Sequence, residues 1–295
     1  MRALRIHAHG GAEALVLDDL PRPTPGAGEL LLKMVAASVN PIDWKMREGL
    51  VRVDLPRVLG RDGAGWDESS GVRTMGVGAA TRDGTHAEYA IIARDAAAAI
   101  PDEVSFEEAA ALGIAGLSAW IPLAENANVS AGQRVLIHAG AGGVGSLAIQ
   151  IASLRGAEVW TTCSAANADW CRALGAYRTI DYTREDFAAV GPIFDAVLDT
   201  VGGDVHRRSG EVLKPGGALT FLNAAPTEPS ARQDIRVLPT LVRATSERLA
   251  ALLQLAAKKQ LRVPIEARYP LERAVEAYEL SRSGHARGKI ILQVS

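Results

Sequence analysis

Chemistry is concentrated in the run Arg134-Val-Leu-Ile-His-Ala-Gly140-Ala141-Gly142-Gly143-Val144-Gly145. Glycines at 140, 142 and 145 have the G-x-G-x-x-G spacing, with an apolar strand before them and an apolar helix after. Gly140 permits a sharp turn out of the strand. Gly142 lets backbone approach a pyrophosphate, and Gly145 lets the helix pack close to the sheet. The helix N-terminus, entered through Ala141, Gly143 and Val144, offers N–H groups and a partial positive charge to phosphates. The run therefore predicts a dinucleotide site; the plainer alternative is a glycine-rich turn with no ligand.

The second strand bears on cofactor choice. An NAD site requires an acid at the end of that strand, about 20 residues on, for the ribose 2′-hydroxyl. Here the strand ends Thr161-Thr162-Cys163-Ser164-Ala165-Ala166-Asn167. Glu158 lies at its opposite end, and Asp169 lies inside the next helix. An acid-free end admits the 2′-phosphate of NADPH. No Lys or Arg directly follows Ser164, so a cationic partner must come from farther along the chain.

Other chemistries are excluded by pattern. There is no His-Glu-x-x-His zinc site and no Gly-x-Ser-x-Gly nucleophile turn. No tyrosine is followed four residues later by lysine, which removes the acid pair of short-chain dehydrogenases. His138, inside the strand before the glycine turn, reads as a packed core residue rather than a base. Cys163 and Cys171 are the only cysteines. They cannot form a four-cysteine zinc lobe or a disulfide framework, and read as small apolar residues.

The elements that must position these residues fall into three textures. The first hundred residues are β-rich, with a strand over 30–40 preceded by a connector at Pro21, Pro23 and Pro25. The dense glycines from Gly60 to Gly84 predict tight turns between short strands. From Phe106 the pattern becomes α/β. Helices are expected over 106–123, 144–154, 168–174 and 205–213. Strands are expected over 134–139, 158–163, 196–199 and 218–223, with a turn at Lys214-Pro215-Gly216-Gly217. This alternation implies a parallel sheet covered by helices. The tail predicts a strand over 263–268, a helix over 271–283 and a strand over 289–294. It is expected to return to the first domain.

With 295 residues, 48% hydrophobic and 22% charged, the chain can bury a large core, and its net charge of −2 argues against nucleic acid or an anionic membrane as partner. The N-terminal residues lack the apolar core of a secretory leader, so a cytoplasmic location is expected.

Several further segments carry a family resemblance: Ser38-Val39-Asn40-Pro41-Ile42-Asp43-Trp44, Gly60-Arg61-Asp62-Gly63-Ala64-Gly65, Ala115-Gly116-Leu117-Ser118-Ala119-Trp120, Ile180-Asp181-Tyr182, Asp199-Thr200-Val201-Gly202-Gly203 and Gly288-Lys289-Ile290-Ile291-Leu292. Together with the glycine turn, the chain resembles the zinc-free quinone oxidoreductase branch, zeta-crystallin included, of the medium-chain dehydrogenase/reductase superfamily. The resemblance implies an α/β protein with a GroES-like β-rich catalytic domain over 1–112, completed by 262–295. It implies a Rossmann domain, a doubly wound parallel sheet, over 113–261. Zinc-dependent relatives place cysteine where this chain has Asn40 and His-Glu where it has Arg61-Asp62, so no catalytic zinc is expected.

By resemblance, Asn40 lies beside the nicotinamide and Asp43 supports its loop. Ser164 and Tyr182 match positions that contact the 2′-phosphate, with Arg287 as a source of charge. Ser118, Thr200 and Asn223 match loops at the nicotinamide end. The implied activity is hydride transfer from NADPH to a quinone or an α,β-unsaturated carbonyl. The alternatives are a non-catalytic, crystallin-like NADPH-binding protein and an enoyl-thioester reductase. The expected partner is a small-molecule substrate, and the resemblance admits a homodimer. Two departures stand out: Leu50 follows Gly49 where relatives often carry an aromatic, and the segment from Trp66 to Thr85 is shortened.

Overall fold

The structure is a computed structural model that describes residues 1–222 and 232–294. It divides into two compact units: Met1–Leu117 with Arg243–Ser295, and Ser118–Val242.

The first unit is built on the strand Glu29–Val39, whose Leu30-Leu31-Leu32 and Ala36-Ala37-Ser38-Val39 runs are buried. Near-continuous burial suits a strand covered on both faces. It is central to a seven-stranded sheet. On one side lie Lys289–Gln293 and then Ile265–Pro270. On the other lie Asp62–Asp67, Arg73–Val77 and Ala97–Ala99, and Tyr89–Ala93 pairs with the first half of the central strand. A second sheet joins Leu15–Asp19, Arg2–Ile6 and Arg57–Val58. The chain's last strand thus completes a sheet begun near residue 30.

The glycines between 60 and 84 do two jobs, only one of which was expected. Gly60 and Gly71 take positive φ in turns. Gly63, Gly65 and Gly76 instead lie inside strands. A Cβ on Gly65 would stand 2.0 Å from the Lys33 carbonyl oxygen, so this residue permits close approach rather than a turn.

In the second unit six parallel strands run in the order Arg178–Asp181, Glu158–Cys163, Arg134–Ile137, Phe194–Asp199, Leu213–Phe221, Arg236–Pro239. Numbered along the unit this is 3-2-1-4-5-6, the doubly wound order of dinucleotide-binding folds. The two outer strands were not expected. Each has four residues, and edge position leaves their alternating side chains in solvent, so no apolar run marks them.

Three expected elements differ in extent. Lys214-Pro215-Gly216-Gly217, expected as a turn ahead of the strand, lies within the strand Leu213–Phe221. There the register steps from Phe194↔Leu213 to Ala196↔Ala218, a bulge that absorbs the proline and the positive-φ Gly216. The expected helix over 205–213 is an α-helix Gly203–Ser209 and a 3-10 turn Gly210–Val212, with Leu213 already in the strand. The helix over 106–123 is α-helical only to Trp120, then widens to a π-turn over Ile121–Asn126. Pro122 has no N–H for the α-ladder, and its carbonyl accepts instead from Ala127 N at 3.0 Å.

Candidate functional site

At the end of the central strand of the first unit, Asn40 caps the short helix Pro41–Arg47, with proline at the first helical position, where a missing N–H costs nothing. Asp43, three residues on, turns back: its Oδ2 accepts the Asn40 backbone N–H at 2.7 Å. Both residues are buried.

The Asn40 side chain bridges two charges. Its Oδ1 accepts from Lys289 Nζ at 2.6 Å, and its Nδ2 donates to Asp62 Oδ1 at 2.7 Å. Three strands bring these residues together, since Ser38 pairs with Asp62 and Val39 with Ile290. The Lys289 ammonium also donates to the Val39 carbonyl at 3.2 Å. Asp62 accepts the Ser38 hydroxyl at 2.7 Å and the Ile114 N–H at 2.5 Å. The helix Phe106–Trp120 reaches Asp62 because Gly113 lacks a Cβ, which would stand 2.5 Å from that of Asp62.

Behind this group, His86 bonds the Tyr278 hydroxyl at 2.8 Å and the Ser38 carbonyl at 3.1 Å. Burial sets the protonation here. It pushes the Asp43 carboxyl up to about 7, against the stabilising Asn40 N–H. It pulls His86 down to about 4 and lowers Lys289, the latter opposed by Asp62 and Asp43.

The donor set does not fit zinc. The positions where zinc relatives are expected to place ligands hold Asn40, whose amide oxygen is taken by an ammonium, and Arg61 and Asp62. An ammonium hydrogen-bonded to the Asn40 oxygen opposes a divalent cation at that same atom. Among the described residues no group of three His, Cys, Asp or Glu is placed to hold a metal ion.

In the second unit, the glycine turn leaves the strand Arg134–Ile137 and enters the helix Gly143–Leu154. The left-handed residue is Ala139, φ +54°, not Gly140. Gly140 is needed for a different reason: its Cβ would stand 2.0 Å from Thr161 Oγ1 on the neighbouring strand. A Cβ on Gly145 would stand 2.2 Å from the Ala139 carbonyl oxygen, which is the close helix packing expected of it. Gly142 differs: a Cβ there meets only the Ala139 oxygen, at 3.4 Å. The first intrahelical bond runs from Ser146 N to Gly142 O at 2.9 Å, leaving the N–H groups of Gly143, Val144 and Gly145 ahead of the ladder, with Ala141 beside them. An unfilled Cβ direction beside such N–H groups fits a pyrophosphate.

Ser164 and Tyr182 come together because Cys163 pairs with Asp181 in register, and Tyr182 N donates to Cys163 O at 3.3 Å. Tyr182 is 59% exposed. The same register brings in two residues missed in the linear reading. Asp181 supplies an acid beside the end of the second strand, but its Oδ1 is bound by Thr183 N and Oγ1 at 3.1 and 2.8 Å. Arg184, 3.9 Å from Asp181, supplies a cation. Neither is visible from Ser164 onward, because both belong to the adjacent strand and its turn.

Thr200 donates to the His138 carbonyl at 2.8 Å, tying the loop after Phe194–Asp199 to the glycine turn. Asp199 fixes that loop through the N–H groups of Val201 and Gly202 and pairs with His206 at 2.9 Å. His138 is a core residue, held between Thr162 and Ser209 and packed on Phe187. Ser118 is buried in the helix Phe106–Trp120. Arg287 lies in the first unit, 3.7 Å from Glu266. Asn223 lies outside the described residues. Cys163 and Cys171 are buried free thiols.

Two family models match: the alcohol dehydrogenase GroES-like domain over residues 26–102 and the zinc-binding dehydrogenase model over 174–292. The chain is 36% identical to the quinone oxidoreductase from Coxiella burnetii, with a TM-score of 0.93 over 100% of this chain and 99% of that one. It is 27% identical to the Escherichia coli quinone oxidoreductase complexed with NADPH, with a TM-score of 0.90 over the full length of both. It is 31% identical to 2-methylene-furan-3-one reductase of Solanum lycopersicum over 99% of this chain and 79% of that protein. The fold is thus that of an alcohol-dehydrogenase-like oxidoreductase with a GroES-like unit and a Rossmann unit. The chain belongs to the quinone oxidoreductase family of the medium-chain dehydrogenase/reductase superfamily. Among the described residues no helix is long and apolar enough to cross a membrane.

Proposed function

We propose that this protein is an NADPH-dependent oxidoreductase that passes a hydride, without zinc, to a conjugated acceptor: a quinone or the β-carbon of an α,β-unsaturated carbonyl. The observation that carries the reading is the unequal crowding of the glycine turn. Gly140 and Gly145 are closed to any side chain by protein atoms, whereas Gly142 has room. That pattern suits a backbone shaped to a pyrophosphate lying over Gly142. The similarity to an NADPH-bound quinone oxidoreductase and to an enone reductase supports the same cofactor and acceptor class.

In this reading the second unit is the dinucleotide-binding domain. Ala141, Gly142, Gly143, Val144 and Gly145 hold the pyrophosphate. Ser164 and Tyr182 take the 2′-phosphate, with Arg184 as the cation that the second strand itself lacks and Arg287 as a further source. Ser118, Thr200 and Asn223 serve the nicotinamide end. When bound, NADPH supplies the hydride. Asn40 presents its amide at the reacting end, and Asp43 holds the Asn40 backbone. With an ammonium hydrogen-bonded to the Asn40 amide and no zinc, the acceptor is activated by orientation, hydrogen bonds and exclusion of water.

The test is NADPH oxidation against a panel of quinones, enones and enoyl thioesters, with elemental analysis of the same preparation. Turnover of quinones or enones by protein free of stoichiometric zinc, unaffected by chelators, is expected. One tightly bound zinc per chain overturns the zinc-free reading. Tight NADPH binding without consumption of any acceptor overturns the enzymatic one.

A further inference from the structure

The segment Gly288-Lys289 marks the family resemblance, yet the proposed function assigns Lys289 no task. The structure gives it an unusual position. Lys289 is 4% exposed and sits at the first residue of the terminal strand. The backbone delivers it there at a cost: Gly288 has φ +91°, and a Cβ on it would stand 2.6 Å from the Pro264 carbonyl oxygen. Lys289 N donates to that same oxygen at 2.8 Å. The ammonium then reaches Asn40 Oδ1 at 2.6 Å and Val39 O at 3.2 Å. A buried lysine ordinarily pairs with a carboxylate. Here Asp62 is nearby, yet the Asn40 amide stands between them, oxygen toward the ammonium and nitrogen toward the carboxylate.

An amide between opposite charges has one favoured orientation. A flip would aim its N–H groups at the ammonium and its oxygen at the carboxylate, exchanging two attractive charge-assisted contacts for two repulsive ones. Asn40 Nδ2 carries two protons. One is committed to Asp62, and the other has only the Ser38 oxygens at 3.3 and 3.4 Å, near the limit of a hydrogen bond.

We propose that Lys289 is the positioning residue of Asn40: with Asp62 it locks the amide so that one loosely held N–H is kept as a donor for the acceptor's developing oxyanion. The inference rests on the proposed reading that Asn40 lies at the reacting end. Lys289 touches neither cofactor nor acceptor in this scheme. Its effect passes through Asn40.

Lys289→Met alone leaves Asp62 as a buried charge without its cation and is expected to lower the melting temperature. The double variant Lys289→Met/Asp62→Asn removes both charges and keeps an acceptor for the Asn40 N–H. If Lys289 positions Asn40, the double variant regains part of the melting temperature that Lys289→Met loses, the Ile114 N–H being left without its carboxylate acceptor. Its kcat stays at least about tenfold below wild type, the worth of one charge-assisted hydrogen bond, while KM for NADPH is unchanged. Recovery of kcat together with melting temperature means that Lys289 only balances charge, and overturns the proposal.

A measurement on wild-type protein stands apart from activity. The sequence has five asparagines, so selective ¹⁵N-asparagine labelling gives five side-chain amide pairs, with that of Asn40 assigned by its loss in Asn40→Ala. One Asn40 proton is expected to be shifted downfield and slow to exchange, and its partner not. Two protons exchanging as fast as those of a solvated amide overturn the proposal, even if the protein proves inactive. A wild type that consumes no acceptor refutes the enzymatic reading alone, because the amide signature is still read.

Discussion

At the scale of single residues, the glycine turn separates two effects that a motif match merges. Gly145→Ala forces a methyl to 2.2 Å from the Ala139 oxygen, and backbone cannot yield as a side chain tip would. Loss of stability is expected, read as a lower melting temperature. Gly142→Val meets only an oxygen at 3.4 Å from its Cβ and is expected to fold while losing NADPH affinity, read by titration of bound dinucleotide. Equal affinity in a folded Gly142→Val protein would place the pyrophosphate elsewhere. The second residue-scale test concerns Ser164. An aspartate there adds a carboxylate near Asp181, which is bound to its own turn and lies 3.9 Å from Arg184. Ser164→Asp is expected to weaken NADPH by about tenfold or more and to favour NADH, because a carboxylate repels the 2′-phosphate and accepts from the ribose hydroxyl. The loss should shrink as salt screens the charge. NADH binding to wild type at least as tightly as NADPH would refute the assignment.

At the scale of elements, legibility followed burial. The strand Glu158–Cys163 and the helix Gly143–Leu154 stand close to where the pattern put them, because buried apolar runs carry their own period. The edge strands Arg178–Asp181 and Arg236–Pro239 were invisible, being short and mostly solvated. The helix Ser246–Ala257 also went unread, although its signals are in the sequence: Thr245 accepts from Arg248 N at 3.3 Å, and Leu249, Leu252, Leu253 and Ala256 form its buried face. Its cap offers an element-scale test. Thr245→Ala is expected to cost about 1 kcal/mol in chemical denaturation, with the slope unchanged. No change would mean that packing of the leucine face alone holds the helix end.

At the scale of the whole molecule, the buried polar group in the first unit ties stability to pH. Asp43, raised to about 7, keeps a proton that an unfolded aspartate loses above about pH 4. Its contribution therefore falls as pH rises from about 4 to about 7. His86, lowered to about 4, refuses a proton that unfolded histidine takes below about pH 6.5. Its contribution therefore rises with pH between about 4 and 6.5. The two slopes oppose, so wild-type stability should vary little from pH 4.5 to 6.5. Asp43→Asn leaves the histidine slope and should make stability climb with pH, by up to about 1.4 kcal/mol per unit. His86→Phe leaves the aspartate slope and should make it fall. Denaturation midpoints across that range check both signs, and parallel curves for the two variants would refute the assignment.

The sequence by itself determined what is local or periodic. It carried the glycine turn, the acid-free end of the second strand, the parallel α/β texture, and the absence of cysteine and histidine at positions 40, 61 and 62. Tertiary structure decided what depends on residues far apart in the chain. Lys289 meets Asn40 across 249 residues because the terminal strand pairs with the strand ending at Val39. Asp181 stands beside the end of the second strand because two parallel strands share a register, and Arg184 lies 3.9 Å from Asp181. Gly140 is required by Thr161 rather than by its own φ. In each case the deciding quantity is a distance between strands, and strand pairing leaves no mark at fixed spacing in a linear sequence.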